Sequence, residues 1–588
     1  MKFQFNKLLP IILSVIFTVA VFYFWAFPYK SVLSFQEQYQ LFLFTSGYFL
    51  QRVSVPGGLA DYLGEFLTQF DYHVIVGAFV IALAFLALQR LTWVVSRRCG
   101  IQRQWYAMSF LPALLLWAFM GDENVLFSFV VALLAALFVM LLYIMVDEHV
   151  RVCWGRVVYC LLGLSLTYWL FGAIVWVVTL FILFHELFRR RDWVFATGIA
   201  IYVLAIIFLS QSLTDYPLTR MMMGINYYRY PAVFPWMQYL VMAVFAITPV
   251  VLGVLGNRGA SLKLIEWLQI SILAIGGVVL IRGSYEKQKY SIIEYDYLVR
   301  THQWDAIIKK AETNPTNLPL PVSSVNLALA AKGQLLDRLF EFYQNGTQGL
   351  LPNFQRDIIT PLPTGEAFFA LGMTNDAERF AYEAQEAIPN YRKSGRVMKR
   401  LAECNLVNGH YGVAHKYLTL LTHSLYYKHW AEKQLALLDQ HQIDAEYLRL
   451  RTLHIKHHEF LFSETEMDQM LGILFVDNQQ VSNRMAYEYL VAYELLNRDL
   501  NRFMKYYSLG QRIAYDHIPY AVQQVLVGNW LMTHNSLQGM PYSVDRQNVE
   551  NTANYLQMYM RNPNDPRLLL PPYSYNAWSY LMVNQMKK

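Results

Sequence analysis

One acidic residue follows the first apolar segment of the chain. Glu37 lies ten residues beyond the apolar stretch 8–27, in SFQEQYQLFLF, among glutamine and tyrosine side chains. A carboxylate close to a bilayer, with amide and phenol partners, is expected to have a raised pKa and to act as a general base. The alternative is an interfacial or helix-capping acid without a chemical role.

Two further acids occur together in a short turn between apolar segments. Asp122 and Glu123 belong to the motif GDEN at 121–124. Carboxylates at such a turn can orient an acceptor hydroxyl or help to hold a divalent cation. Turn chemistry alone explains the same motif, because glycine, aspartate and asparagine favour turns. With Glu37, these two residues are the candidate catalytic residues.

A third segment, 211–231, combines arginine with tyrosine. Arg220, Tyr228 and Arg229 are the candidate binding residues, since guanidinium groups hold phosphate or pyrophosphate through paired hydrogen bonds. Ordinary anchoring at a membrane interface by arginine and tyrosine is the alternative.

These segments are separated by stretches long and apolar enough to cross a membrane. The candidate spans are 8–27, 73–91, 104–120, 126–146, 157–188, 193–210, 234–255 and 264–281. The fifth is 32 residues long, and we interpret it as two short helices that reverse near Gly172. The sequence therefore predicts an all-α protein with about nine spans in a membrane domain at 1–282.

Basic residues set the expected orientation. Residues 1–282 hold 18 Lys and Arg against 12 Asp and Glu, whereas residues 283–588 hold 30 of each class. Basic side chains expected on the cytoplasmic side are Arg90, Arg97, Arg98, Arg103, Arg151, Arg156, Arg189, Arg190, Arg191, Arg258 and Lys263. The positive-inside rule then predicts a multi-pass protein of a bacterial inner membrane, with a cytoplasmic N-terminus. Segments 28–72, 121–124 and 211–231, and all of 283–588, are expected on the periplasmic side.

Charge and cysteine content exclude several classes of function. The neutral second half lacks the basic footprint of a nucleic-acid binder. Four cysteines without a CxxC or CxxH pair predict neither a disulfide framework nor a dedicated metal site. The spans hold almost no ionisable residue at mid-membrane, which disfavours a coupled transporter.

Four acids at span ends, and two in the first loop, are expected to be solvated. The span-end acids are Asp147, Glu148, Glu186 and Glu266. In GLADYLGEFLTQF, Asp61 and Glu65 are spaced i, i+4, opposite the apolar face of a helix expected to lie flat on the membrane.

The second half, 283–588, has helical periodicity with charged faces. Helix pairs are predicted to turn at Gly333, Gly372 and Gly409, at a spacing close to that of tetratricopeptide repeats. We therefore expect a soluble α-solenoid resembling degenerate tetratricopeptide repeats, with a generic helical bundle as the alternative. Such arrays offer a concave surface to a protein partner.

The layout of the whole chain resembles the superfamily C (GT-C) glycosyltransferases. The shared features are a long first outer loop with surface helices and an early acid, a second acidic outer loop, short paired spans and a C-terminal outer domain. The chain also looks like an uncharacterised family of bacterial polytopic membrane proteins with this two-part layout. The resemblance implies a polyprenyl-phosphate-linked sugar as donor and a first-loop acid as base, which here is Glu37.

Two functions remain open. In the first, Arg220 or Arg229 binds the carrier phosphate, Glu37 deprotonates an acceptor hydroxyl, and Asp122 orients the acceptor or a divalent cation. The acceptor would be extracytoplasmic, as in protein O-glycosylation, and the helical array would hold it. In the second, the chain is a membrane-anchored, non-enzymatic scaffold for an envelope complex.

Overall fold

The computed structural model describes residues 2–149, 153–255, 263–390, 392–453, 466–476, 483–534 and 536–582. Regular structure in these ranges is helical, apart from one isolated antiparallel bridge between Val125 and Tyr228. The chain divides into two compact units. Unit 1 comprises residues 1–287, 389–395 and 421–429, and unit 2 comprises 288–388, 396–420 and 430–588.

Unit 1 carries the apolar helices and the loops between them. Its α-helices are α1 (Lys2–Ala26), α2 (Lys30–Gln38), α3 (Ser46–Val53), α4 (Gly58–Thr68), α5 (Val74–Arg98), α6 (Leu111–Phe119), α7 (Phe127–His149), α8 (Cys153–Phe171), α9 (Val175–His185), α10 (Trp193–Ser210), α11 (Leu218–Met223), α12 (Trp236–Leu255) and α13 (Lys263–Arg282). Seven helical stretches in the described residues are long and apolar enough to cross a membrane. The chain is therefore an all-helical protein with the apolar helices of a membrane protein.

The third predicted span is less regular than the others. Residues Arg103–Phe110 form a 3-10 helix, and α6 adds only nine residues of α-helix. Pro112 lies at the start of α6, where its missing N–H costs no helical hydrogen bond. This segment is consequently not one of the seven long apolar stretches.

The stretch Trp154–Arg190 reverses at Gly172, as the sequence predicts. Gly172 has a φ of 76°, a left-handed conformation that ends α8 without the strain a side chain would add. Arg156 near the start of α8 binds Glu186 just beyond α9, with an N–O distance of 3.1 Å. A straight helix would place these two residues ~45 Å apart, so α8 and α9 run in opposite directions.

The expectation of a solvated Glu186 is wrong. Its side chain is fully buried, binds Arg156 and accepts a 2.5 Å hydrogen bond from the Tyr143 hydroxyl. The helical reversal brings the arginine to this acid, which removes the need for water as its partner. Two of the basic residues used to set the orientation, Arg151 and Arg258, lie outside the described residues.

Unit 2 consists of shorter helices. They are α14 (Lys287–Arg300), α15 (Trp304–Thr313), α16 (Pro319–Ala331), α17 (Leu335–Arg338), α18 (Pro361–Leu371), α19 (Thr374–Glu386), α20 (Gly395–Asn408), α21 (Tyr411–Leu421), α22 (Lys428–Asp439), α23 (Ala445–Leu453), α24 (Met467–Val476), α25 (Arg484–Asn497), α26 (Leu500–Tyr507), α27 (Tyr520–His534), α28 (Arg546–Arg561) and α29 (Ala577–Met582). Gly333, Gly372 and Gly409 each follow a helix and have positive φ. The predicted turns therefore lie where helices end.

A buried ionic cluster ties three helices of unit 2 together. Arg396 on α20 binds Asp296 on α14 at 2.7 Å and Glu366 on α18 at 2.6 Å, and Arg400 also binds Glu366 at 2.7 Å. Although burial opposes ionisation, the two guanidinium groups hold the pKa of Glu366 at about 2. The cluster is therefore ionised at neutral pH.

Candidate functional site

The three loop segments singled out in the sequence meet at the side chain of Gln36. Its amide nitrogen donates to the backbone carbonyls of Glu123 at 2.6 Å and Val125 at 3.1 Å. Its amide oxygen accepts a 2.9 Å hydrogen bond from the Arg229 guanidinium. Segments 28–72, 121–124 and 211–231 of unit 1 thus converge, and we call them together the loop face.

Backbone pairing reinforces this junction. The Arg229 N–H donates to the carbonyl of Asn124 at 2.8 Å, and the Leu126 N–H donates to the carbonyl of Tyr227 at 3.0 Å. These bonds flank the bridge between Val125 and Tyr228. Arg229 and the GDEN turn are therefore held in a fixed register to each other.

Arg229 is a buried cation. Its side chain is 3% exposed and its guanidinium lies over the rings of Phe35 and Tyr39, at 4.9 and 5.2 Å from their centroids. Within the described part of the chain no carboxylate is within ion-pairing distance, and Nε has no hydrogen-bond acceptor. Burial lowers the pKa of Arg229 to about 10, so the group stays charged at neutral pH.

Arg220 is a second, half-buried cation on the same loop. It donates to the Asn390 side-chain oxygen at 3.0 Å and to the carbonyl of Ile225 at 3.4 Å. Its guanidinium lies 4.9 Å from the centroid of the Tyr216 ring. Burial lowers the pKa of Arg220, and the charge of Arg392 lowers it further. Its acceptors are neutral, which leaves its positive charge available to an anion.

Asp122 and Glu123 are both engaged within the GDEN turn. One oxygen of Asp122 accepts from the backbone and side chain of Asn124 at 2.9 and 3.0 Å, and the other accepts from the Tyr228 hydroxyl at 2.7 Å. Glu123 is buried and accepts from the Asn124 amide at 2.9 Å. Burial and the charge of Asp122 raise the pKa of Tyr228, so its phenol keeps its proton. In this arrangement Asp122 orients Tyr228.

Glu37 is buried beside a second acid, Asp71. The Tyr427 hydroxyl donates to Glu37 at 3.3 Å. Burial raises the pKa of Asp71 well above its ordinary value, and the charge of Glu37 raises it further. The buried setting of Asp71 therefore favours its protonated form, beside the neighbouring carboxyl group of Glu37.

A small cavity adjoins Asp71. It measures about 20 Å³, which is room for about one water molecule. Its polar lining includes Gln36, Thr68 and Asp71. The cavity therefore connects Asp71 with Gln36, the side chain that binds Arg229.

The prediction that Asp61 and Glu65 form a solvated face is wrong. Both are 1% exposed and lie in a ring of ion pairs with Arg52 and Arg392. Arg52 binds Glu65 at 3.1 Å and Asp61 at 3.6 Å, and Arg392 binds Asp61 and also Glu65 at 3.0 Å. The Tyr48 hydroxyl donates to Glu65 as well. The reason is that Arg392, from a distant part of the sequence, covers this face of α4.

Sequence reasoning missed several residues of the loop face. Asp71 stands next to the start of α5, where a lone acid before an apolar helix was a usable signal. Arg392 and Tyr427 come from segments that the sequence pattern assigns to the second half but that belong to unit 1. No local pattern marks them, because their partners are hundreds of residues away. Among the described residues, no three His, Cys, Asp or Glu side chains are placed to hold a metal ion.

Comparison with known proteins gives a family without an assigned activity. No curated protein and no solved structure matches the chain. One family model matches residues 5–584, which is nearly the whole length and includes every residue of the loop face. The chain therefore belongs to the family of unknown function DUF6057.

Proposed function

We propose that this chain is a membrane glycosyltransferase that moves a sugar from a polyprenyl-phosphate-linked donor to an acceptor at the loop face. The observation that carries the proposal is Arg229, a buried cation without an ion-paired carboxylate in the described residues. A buried charge of this kind is costly unless an anion neutralises it. The phosphate of a lipid carrier supplies that anion at the end of the apolar helices.

The reaction assigns one task to each group. The acceptor hydroxyl oxygen attacks the anomeric carbon of the sugar, while Glu37 takes the hydroxyl proton. The bond between the anomeric carbon and the phosphate oxygen breaks, and the carrier phosphate leaves with the bonding electrons. Arg229 and Arg220 stabilise the charge that develops on this phosphate. Asp122, which accepts the hydroxyl hydrogen bond of Tyr228, is placed to orient the acceptor.

In this scheme Asp71 is a second carboxyl group that can hold a proton beside the base Glu37. Burial and the charge of Glu37 raise the pKa of Asp71 well above the ordinary value, which favours the protonated form, and its cavity has room for a water that can relay a proton. The resemblance to superfamily C glycosyltransferases supports the assignment of the first-loop acid Glu37 as base. In this proposal the loop face and unit 2 are periplasmic, nine spans cross the inner membrane, and the helix pairs of unit 2 form a tetratricopeptide-like array that holds the acceptor.

The alternative is a membrane-anchored, non-enzymatic scaffold for an envelope complex. The observation that favours it is the ring of Arg52, Asp61, Glu65 and Arg392, whose charges are used to fix loops rather than to contact a ligand. A scaffold needs a rigid surface but no buried cation without a counter-ion. Arg229 is therefore the residue that separates the two functions.

The test measures lipid binding and sugar transfer separately. The full chain is purified in detergent with and without added undecaprenyl phosphate, and the retained lipid is quantified by native mass spectrometry. We expect Arg229→Gln to lose retained lipid by about tenfold or more, which corresponds to ~1.4 kcal/mol. Arg191→Gln, which removes an exposed arginine, is the matched control and should retain wild-type lipid.

Transfer is read in cells in which the gene is replaced by each variant. Glu37→Gln should keep the lipid and the protein level but lose the transferred sugar, seen by mass spectrometry of envelope glycans. Glu148→Gln is the control, because the Glu148 side chain is partly exposed. Asp61→Asn is unsuitable, because it would break the buried ring of ion pairs. Equal lipid retention by Arg229→Gln, or unchanged glycans with Glu37→Gln, would refute the transferase and favour the scaffold.

A further inference from the structure

Helix α3 turns its polar side chains inward and its apolar side chains outward. Tyr48 and Arg52 of α3 are buried, and both bind Glu65 of α4. Phe49 and Leu50, on another side of α3, are 40% and 63% exposed. A helix that met water here would have the reverse arrangement, with its charged residues outside and its apolar stripe against the core. The exposed side of α3 therefore matches an apolar environment.

Aromatic side chains extend this surface beyond α3. Phe44, which precedes the helix, is exposed, and its ring centroid lies 6.4 Å from that of Phe66 on α4. The ring of Phe49 packs edge-on against Tyr62 of α4, with 5.0 Å between the centroids. Tyr62 and Phe66 are themselves half-buried. We call Phe44, Phe49, Leu50, Tyr62 and Phe66 together the α3–α4 apolar face.

The exposed surface of α3 is uncharged. Arg52 is the one charged residue in the segment 42–59, and it is buried in the ring of ion pairs. The exposed polar positions are Gly47 and Gln51, with Ser54 directly after the helix. Surfaces that keep a domain soluble carry roughly 25–35% charged residues. Contact with water alone therefore does not account for this segment.

Two close contacts place α4 across the ends of two long apolar helices. Gly57, directly before α4, donates its backbone N–H to the carbonyl of Trp169 at 2.9 Å, near the end of α8. Further along α4, Gly64 lies against the start of α7, where a Cβ would be 2.6 Å from the backbone nitrogen of Ser128. Helix α4 therefore bridges the start of α7 and the end of α8.

Both contacts lie at the same boundary of the apolar helices. Arg156, near the start of α8, lies 4.0 Å from Asp147, near the end of α7, so the two helices run antiparallel. The start of α7 and the end of α8 are consequently on one side. From Trp154 to Phe171, α8 extends ~26 Å, close to the ~30 Å thickness of the hydrocarbon core of a bilayer. The α3–α4 pair is therefore expected where the hydrocarbon core ends.

The exposed side of α8 leads to the same place. Leu162 and Leu166, one turn apart, are exposed in a stretch that is apolar enough to cross a membrane. Trp169 follows about one turn later, and its carbonyl binds Gly57, in the loop that joins α3 to α4. The surface that α8 offers to acyl chains therefore continues toward the α3–α4 apolar face.

We propose that the α3–α4 apolar face is embedded in the lipid leaflet next to Gly172. Phe49 and Leu50 contact acyl chains, whereas Gln51 faces water. Phe49 and Gln51 are ~160° apart around a helix, so α3 satisfies both contacts when it lies in the plane of the membrane. Because the face is uncharged, the contact does not depend on the charge of the lipid headgroup.

Photocrosslinking in nanodiscs tests the lipid contact. The full chain is made with p-benzoylphenylalanine in place of Phe49, Leu50 or Gln51, irradiated, and analysed by mass spectrometry for phospholipid adducts. We expect roughly fivefold more adduct at Phe49 and Leu50 than at Gln51, because the apolar side of an in-plane helix is buried below the headgroups. Met560, an exposed residue of α28 in unit 2, gives the background. Phosphatidylcholine and phosphatidylglycerol nanodiscs should give equal yields.

The adduct also identifies any other occupant, because benzophenone reacts with C–H bonds of lipids and proteins alike. The same variants are therefore irradiated in cell membranes before purification. Phe49 and Leu50 are both exposed, so either variant decides if the other does not fold. Adducts with a second copy of the chain or with another protein, in place of lipid, would overturn the proposal. Lipid adducts at both positions that do not exceed the Met560 background would overturn it as well.

Discussion

The guanidinium of Arg392 binds the carboxylate of Asp61, a residue 331 positions earlier in the chain. Arg392 is 3% exposed, and the same guanidinium also binds Glu65 at 3.0 Å. Together with Arg52, this contact neutralises two carboxylates that face no water. The interaction joins residues 389–395 to α4 within unit 1.

Replacing Arg392 should destabilise unit 1. Arg392→Met leaves Asp61 and Glu65 with one arginine between them, and breaking a buried ion cluster in this way costs ~3–5 kcal/mol. We expect a lower Tm for the purified full chain, followed by thermal unfolding in detergent. Arg546→Met, at an arginine whose side chain is 93% exposed, should change the stability by under ~0.5 kcal/mol. The double variant Arg392→Met with Asp61→Asn should recover part of the loss, and a loss equal to that of the control would contradict the assignment.

Replacing Arg229 should not destabilise the protein when no lipid is added. Arg229→Gln removes a buried charge that has no ion-paired carboxylate among the described residues, so stability should be unchanged or raised by ~1 kcal/mol. The same variant should lose the rise in Tm that added undecaprenyl phosphate gives the wild type, because a ligand stabilises only a state that it binds. Destabilisation by more than ~2 kcal/mol, with the lipid response intact, would make Arg229 a structural residue.

Glu494 should make stability depend on pH. Burial first, and then the charges of Asp468 and Asp499, raise its pKa to about 7, against the opposing effect of Arg502. The Tyr506 hydroxyl faces the same pair through Asp468. Below pH ~4.5 the carboxyl is protonated in both states, whereas between pH ~4.5 and 7 only the folded state keeps the proton, so stability falls as pH rises through this window.

Glu494→Gln does not titrate and should lose this dependence. From pH 5 to pH 8 we expect its Tm to rise relative to wild type by roughly 4–6 °C, because a folded-state pKa of about 7 against ~4.5 in the unfolded chain corresponds to ~2.5 kcal/mol over this range. Glu550→Gln, at an exposed glutamate, should track the wild type across the same range. A constant difference between Glu494→Gln and wild type would show that Glu494 titrates normally.

Gly172 should not tolerate a side chain. Its φ is 76°, and a Cβ would lie 3.1 Å from both the Cα of Gly57 and the hydroxyl oxygen of Tyr227. Gly172→Ala should therefore cost ~1–3 kcal/mol, through the backbone conformation and through the approach of the 28–72 loop to this turn. Gly198→Ala, at a helical glycine with open space around it, should be neutral or slightly stabilising by the same thermal assay. Equal Tm values for the two variants would contradict the close approach.

Local patterns were sufficient for much of the fold. The apolar stretches predicted the long helices, glycine predicted the turn at residue 172, and charged periodicity predicted the helical second half. The nearness of Glu37, the GDEN turn and Arg229 was a hypothesis from residue chemistry, and the hydrogen bonds of Gln36 now connect these segments. Whether Glu37 acts as a base stays a prediction.

The errors share a physical cause. Asp61 and Glu65 have the i, i+4 spacing of a solvated helix face, and nothing near them in the sequence indicates that Arg392 will cover them. Glu186 was wrongly predicted to be solvated for the same reason. Its partner Arg156 comes close to it only because the chain reverses between them. Sequence periodicity reports which face of a helix is polar. It does not report whether water or a distant side chain meets that face.

The ring of ion pairs among Arg52, Asp61, Glu65 and Arg392 can be completed only late in biosynthesis. When the first 287 residues have emerged from the ribosome, the seven long apolar stretches found in the described residues are present, yet Asp61 and Glu65 still lack one of their two arginines. Residues 389–395 and 421–429 emerge more than one hundred residues later, and at ~5–20 residues per second that delay lasts several seconds or longer. During this interval the inserted helices are an unfinished unit with uncompensated negative charge. Chains that terminate before Arg392 should therefore be substrates for membrane quality-control proteolysis, even though they contain the seven long apolar stretches that the described part of the chain provides.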